Sequence, residues 1–185
     1  MKEYGLFAEI LDYPAPQLAS RIEELLHRVS SCDRKTGEYL EQFREFVATT
    51  APAMLEELYT ATFDLQPLCY PYVGYQLFGD ECRRVMFMAG LREHYRACGF
   101  EAGDELPDQL CVILRFLAGR KPEAVERELV SDCLIPSLEK MITGFSTADN
   151  PYRQPLRALL RFLAGTSGDG EPTKKGEPWT TVSCS

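Results

Sequence analysis

Through the first 165 residues apolar positions recur every three or four residues, and no stretch alternates convincingly between apolar and polar. That period belongs to helices buried along one face, and the missing two-residue period argues against a sheet. Residues 3 to 12 read as a short helix ended by Pro14, and Leu18, Ile22, Leu25, Leu26 and Val29 trace a longer amphipathic one, followed by a loop from Ser30 to Lys35. Tyr39, Leu40, Phe43, Phe46 and Val47 give the next buried stripe, opposite Glu38, Glu41 and Glu45. Thr50 as N-cap and Pro52 at the first helical position start a helix that continues through Leu55, Leu58 and Tyr59. Asp80 is placed to cap a helix reaching Cys98, with Gly99 as its stop and Val85, Met88, Leu91 or Arg92, and Tyr95 as its inner stripe. Met86 and Met88 read as packing filler before an adaptable binding surface.

Leu110, Ile113, Leu114 and Leu117 face inward on a helix that Gly119 ends. Pro122 opens a helix over 123 to 133, Pro136 breaks it, Ser137 to Phe145 form another, and Asn150-Pro151 start the last. ILRFLAG at 113 to 119 nearly recurs as LLRFLAG at 159 to 165, which reads as two similar helices with the same glycine stop; two copies are too few for a solenoid. From Thr166 the chain turns to Gly, Ser, Thr, Pro and Lys, a composition that cannot bury enough surface to offset its ordering entropy. The expectation is therefore an all-α, single-domain helical bundle of roughly eight to ten helices over residues 1–165, with a flexible C-terminal tail at 166–185.

One stretch departs from this rhythm, LYTATFDLQPLCYPYVGYQLFG from Leu58 to Gly79, rich in aromatics and carrying a single charge. Tyr59 and Phe63 share a helical face, Asp64 stands near that helix's end, and Gln66-Pro67 and Tyr70-Pro71 force the backbone out of the helical region. Tyr72, Tyr75 and Gln76 then return at helical spacing up to Gly79, placed as a left-handed cap. Phenols bury their rings while their hydroxyls seek partners, so the tyrosines stand out from ordinary core.

Charge narrows the partners. Twenty Lys and Arg against twenty-eight Asp and Glu leave a formal charge of −8, which argues against nucleic acid and anionic membranes and favours basic partners. The start, MKEYGLFAEILDYP, carries acids where a signal peptide is apolar, and Leu110 to Leu114 is far shorter than the ~20 residues of a membrane span. These features are those of a cytoplasmic chain. Seven dispersed cysteines without a C-x-x-C, and His27 and His94 alone, show no zinc-like pairing. His27 lies at the edge of an apolar stripe, a position for a surface histidine rather than a catalytic one.

No nucleophile elbow, Walker loop, H-E-x-x-H or dinucleotide turn is present, so no catalytic residue, metal site or cofactor is assigned. Glu101, Asp104, Glu105 and Asp108 concentrate acid that can serve a metal or proton transfer, or simply complement a helix N-terminus. Cys69 among the elbow tyrosines reads as structural, since nothing nearby in sequence lowers its pKa. A small helical enzyme or redox sensor using the acidic cluster or a cysteine is the alternative class, and a permanent subunit of a larger complex is a third.

Two ordered blocks carry a resemblance. Tyr59-Thr60-Ala61-Thr62-Phe63-Asp64-Leu65 with Tyr72-Val73-Gly74-Tyr75-Gln76-Leu77-Phe78-Gly79, and then Tyr95-Arg96-Ala97-Cys98-Gly99-Phe100 with Glu105-Leu106-Pro107-Asp108-Gln109-Leu110, resemble the NarJ-type branch (nitrate reductase delta subunit) of the TorD/DmsD redox-enzyme maturation chaperones. The resemblance implies a non-enzymatic, cytoplasmic chaperone, monomeric or weakly dimeric. Such a protein binds the N-terminal peptide of a molybdoenzyme catalytic subunit, supports molybdenum cofactor insertion and is absent from the mature enzyme. On that reading Tyr59, Phe63, Tyr72 and Tyr75 line a groove for the apolar face of an amphipathic peptide, with Gln76 beside them. Asp64, Glu105 and Asp108 form an acidic rim for its Lys or Arg residues. Gln109 takes the place of the histidine in the related "PDH" motif, which keeps hydrogen bonding and removes a group that titrates near neutrality.

Overall fold

A computed structural model describes residues 2–29, 33–64, 69–119, 121–145 and 149–166. Among them the chain forms ten α-helical segments and no strand: α1 Lys2–Ile10, α2 Leu18–Val29, α3 Arg34–Thr49, α4 Pro52–Phe63, α5 Val73–Phe78, α6 Cys82–Ala97, α7 Leu110–Ala118, α8 Glu123–Glu128, α9 Ile135–Gly144 and α10 Arg153–Thr166. The all-α expectation holds. The expected tail lies outside the described residues except for Thr166, which closes α10, and so does the Gln66-Pro67 half of the elbow.

The bundle is built around α7, in which Leu110 through Leu114, Phe116 and Leu117 are all buried, so that it is apolar on nearly every side. α1 lies along it, close enough that a Cβ on Gly5 would meet the Ala118 Cβ at 3.5 Å. α2 packs on α1 and α3, α3 on α10, and α10 on α9. Tyr4 and Phe7 of α1 close on Phe162 of α10, with ring centroids 5.9 and 5.4 Å apart.

Local chemistry moved several boundaries. The loop expected to reach Lys35 ends at Asp33, whose carboxylate accepts from the backbone N–H groups of Lys35 and Thr36 and starts α3 at Arg34. Thr50 does not cap α4. It ends α3, its hydroxyl donating to the Phe46 carbonyl, and Ala51 precedes Pro52 at the start of α4. Asp80 likewise caps nothing, because it is drawn to Arg84, and α6 begins one residue after Glu81.

The inner stripe of α6 is Phe87, Leu91 and Tyr95, not one starting at Val85, which is 59 % exposed. Pro136 does not break its helix. Leu129–Leu134 widens into a π-helix in which the Ile135 N–H reaches the Val130 carbonyl, and the chain runs on into α9 with Pro136 in its first turn, where the missing N–H is unneeded. Of the two similar glycine ends, Gly119 closes α7 while Gly165 lies inside α10.

Candidate functional site

After Cys69 the chain runs along the segment that precedes α7. The Val73 N–H donates to the Asp108 carbonyl and the Leu110 N–H to the Pro71 carbonyl, both at 2.8 Å, so that Tyr72 and Gln109 form a single antiparallel bridge. The two halves of the sequence pattern are thus clamped together by backbone. The Tyr95 hydroxyl donates to the Pro107 carbonyl at 2.8 Å and fixes the same loop from the α6 side, and Gln109 caps α7 by accepting from the Val112 N–H at 3.0 Å. Ser137 and Lys140 of α9 hold the other side of α5, through the carbonyls of Val73 and Gln76.

Inside this clamp sits an ion pair that sequence spacing did not reveal. Arg84 Nε donates to Asp108 Oδ2 at 2.8 Å, its outer nitrogens reach Asp108 Oδ1 at 3.5 Å and Asp80 Oδ1 at 3.1 Å, and its guanidinium lies 5.3 and 5.7 Å from the ring centres of Tyr72 and Tyr75. Burial disfavours the Arg84 charge, but the hydrogen bonds and charge of Asp108 and then Asp80 outweigh it and hold its pKa above the ordinary value. Gly74 makes the approach possible: a Cβ there would stand 2.7 Å from Asp108 Oδ2 and 3.0 Å from the Phe87 ring. The clue was in the sequence. Arginine in the first turn of a helix opposes the macrodipole, so Arg84 at the start of α6 calls for an anion from elsewhere.

Asp108 is therefore not an exposed rim carboxylate. Its side chain is 0 % accessible and already paired, because the loop that carries it folds over α5 onto Arg84. Tyr59 and Phe63 are not exposed either. They turn into the core, where their rings lie 5.8 and 5.2 Å from Tyr152, a residue completely buried against Phe43. Burial pushes the Tyr59 hydroxyl well above its usual pKa. Gln109 is spent on its helix cap.

What the surface does present is a tyrosine face. Tyr72, Tyr75 and Gln76 are half-buried, Tyr70 is exposed and packs at a tilt against Tyr75 with centroids 4.5 Å apart, and Gln76 Nε2 donates to the Tyr70 carbonyl at 2.9 Å. Leu106 adds an exposed apolar side chain on the neighbouring loop. Glu105 and Asp64 are exposed and close enough that, after burial, the negative charge of Glu105, Asp108 and Asp64 raises the Tyr72 pKa. The face is aromatic, with an acidic edge.

The thiols are elsewhere in character. Burial pushes Cys69 and Cys111 up to about 12, and Cys133 higher, the opposite of an activated nucleophile. Among the described residues no group of three or more His, Cys, Asp and Glu side chains is placed to hold a metal ion, and no helix is long and apolar enough to cross a membrane. A separate cleft of about 620 Å³ opens between the ends of α2, α3 and α10, and its arginines are already matched, Arg28 to Glu3 and Arg161 to Asp33.

Residues 30–158 match the family model described as nitrate reductase delta subunit, a span that contains the whole clamp. The chain belongs to that family. Within it, the chain is 27 % identical over 158 residues to a protein of Bacillus subtilis (strain 168) described as a probable nitrate reductase molybdenum cofactor assembly chaperone NarJ, covering 83 % of this chain and 84 % of that one. It is 28 % identical over 153 residues to the nitrate reductase-like protein NarX of Mycobacterium tuberculosis (strain ATCC 25618 / H37Rv), where it spans 23 % of the longer protein's length and 82 % of its own. The delta subunit match covers both sequence blocks on which the clamp is built.

Proposed function

We propose that this member of the delta subunit family is a non-catalytic, cytoplasmic chaperone for molybdenum cofactor assembly in a nitrate reductase-type enzyme, and that it acts by holding the N-terminal segment of the catalytic subunit. The observation that carries the peptide site is the face made by Tyr70, Tyr72, Tyr75 and Gln76 with Glu105 and Asp64 at its edge. An amphipathic segment with basic residues lays its apolar side on such rings, and the exposed carboxylates meet its cations. The Arg84–Asp108 pair beneath is the base on which the tyrosines rest. Asp108 then positions the site, and Glu105 and Asp64 read charge. Tyr59 and Phe63 contribute through the core that carries α4 up to Asp64, so that of the residues singled out by sequence they act at one remove.

Calorimetric titration with a synthetic peptide of about the first twenty residues of a nitrate reductase catalytic subunit tests this. Tyr75→Ala is expected to weaken binding by about 2 kcal/mol while the fold survives, and Glu105→Gln to flatten the salt dependence. Equal affinity in wild type and both variants refutes the assignment of this face.

A further inference from the structure

α6 carries apolar side chains on two opposite sides. Phe87, Leu91 and Tyr95 point inward, while Val85 and Met86 are 59 % and 47 % exposed and Ala89 stands open one turn on. Of the described helices only α5 packs broadly on α6, and among the described residues Glu81, Val85, Met86, Ala89, Arg92 and Arg96 stand exposed on its outer side. A helix apolar on both sides is built to be covered on both.

Charge identifies the cover. Glu81, Val85, Ala89, Arg92 and Arg96 follow one another at four-, four-, three- and four-residue steps and form a single stripe, acidic at the N-terminal end, apolar in the middle and basic at the C-terminal end. Among the described residues Arg92 and Arg96 pair with no carboxylate and Glu81 pairs with Arg83 alone, both ends of that pair at least half exposed. Such a stripe is its own complement when a second copy lies antiparallel, because in that arrangement like flanks of the two helices face each other and Glu81 of each meets the arginines of the other.

We propose that the outer face of α6 is a two-fold contact between two copies of this chain. The Val85–Met86–Ala89 patches close on each other at the centre, large side chain against small, and two Glu81–Arg92/Arg96 clusters close the ends over a helix about 24 Å long. One helix face per copy buries at most about 1,200 Å² in total, the range of transient rather than obligate association. The contact leaves the tyrosine face open, and it does not depend on the peptide-binding reading.

Analytical ultracentrifugation of the full chain, from low micromolar to sub-millimolar concentration, reads this directly. Wild type is expected to shift reversibly towards dimer. Met86→Glu, at an exposed site whose melting temperature is expected to stay put, is expected to weaken the dimer at least about tenfold. Glu81→Arg alone and the pair Arg92→Glu with Arg96→Glu are each expected to weaken it, and combining all three, which reverses every pair while keeping complementarity, to restore it. A chain that stays monomeric throughout, a dimer untouched by Met86→Glu, or a combined variant no better than its parents overturns the proposal.

Discussion

Replacing Asp108 by Asn keeps the shape of the clamp and removes one charge of its buried pair. Asp108 is fully buried and Arg84 is 14 % exposed, so the substitution strands a guanidinium that water scarcely reaches. Breaking such a pair by one partner costs about 3–5 kcal/mol when nothing compensates. Two features reduce that here. The Asn oxygen still accepts from Arg84 Nε, and Asp80, 79 % exposed, remains 3.1 Å from the outer nitrogen. A loss of about 2–3 kcal/mol is expected, and with about 2–4 °C per kcal/mol for a domain of this size the melting temperature falls by about 4–12 °C.

Arg84→Met is expected to cost more than Asp108→Asn, because it leaves the less accessible charge unpaired. The double variant is expected to cost clearly less than the sum of the two, since each single change already removes the same interaction. Thermal melts of the four proteins, read by circular dichroism, provide the cycle. In the same proteins peptide affinity is expected to fall with little change in its salt dependence, as a positioning role requires and a direct charge contact does not. A melting temperature within 1 °C of wild type for Asp108→Asn, or simple additivity in the double variant, refutes the view that the pair holds the clamp together.

Gly74→Ala is expected to destabilise by about 1–3 kcal/mol, seen in denaturant midpoints, because its Cβ would fall 2.7 Å from Asp108 Oδ2 in a place that has no room to relax. Phe63→Ala is expected to cost about 3–5 kcal/mol in the same assay by opening a cavity beside Tyr152, while affinity per folded molecule stays near wild type; Tyr75→Ala is expected to show the reverse ranking. Cys82, the exposed thiol among the described residues, is expected to react quickly with a thiol reagent and Cys69, Cys111 and Cys133 only on unfolding, so that Cys82→Ser removes one fast equivalent. Burial raises the folded pKa of Cys69 and Cys111 to about 12, so above the ordinary thiol pKa of about 8.5 the unfolded chain has lost protons the folded chain keeps, and stability is expected to fall as pH rises from there. Melts between neutral and alkaline pH, compared with Cys69→Ala, check the sign.

Helix existence was legible residue by residue, because a side chain repeating every three or four positions leaves one face to bury whatever it packs against. The two blocks of the delta subunit family were legible too, since they are local strings. What the sequence left open is what depended on a partner distant along the chain. Val85 and Phe87 fit the inner stripe of α6 almost equally well by spacing, and only the placement of α5 and the Tyr95–Pro107 hydrogen bond turns Phe87 inward and leaves Val85 out. Asp80 has the chemistry of a cap, and Arg84, one turn along, takes it away. Tyr59 and Tyr75 look alike in sequence, yet Tyr152, just ahead of α10, closes over one of them in the core, while the other stays half-buried beside the exposed Tyr70. Asp108 reads as surface acid because carboxylates are seldom buried. It is buried because α6, twenty-four residues earlier, delivers an arginine to it through the gap that Gly74 leaves, and that meeting exists only in the folded chain.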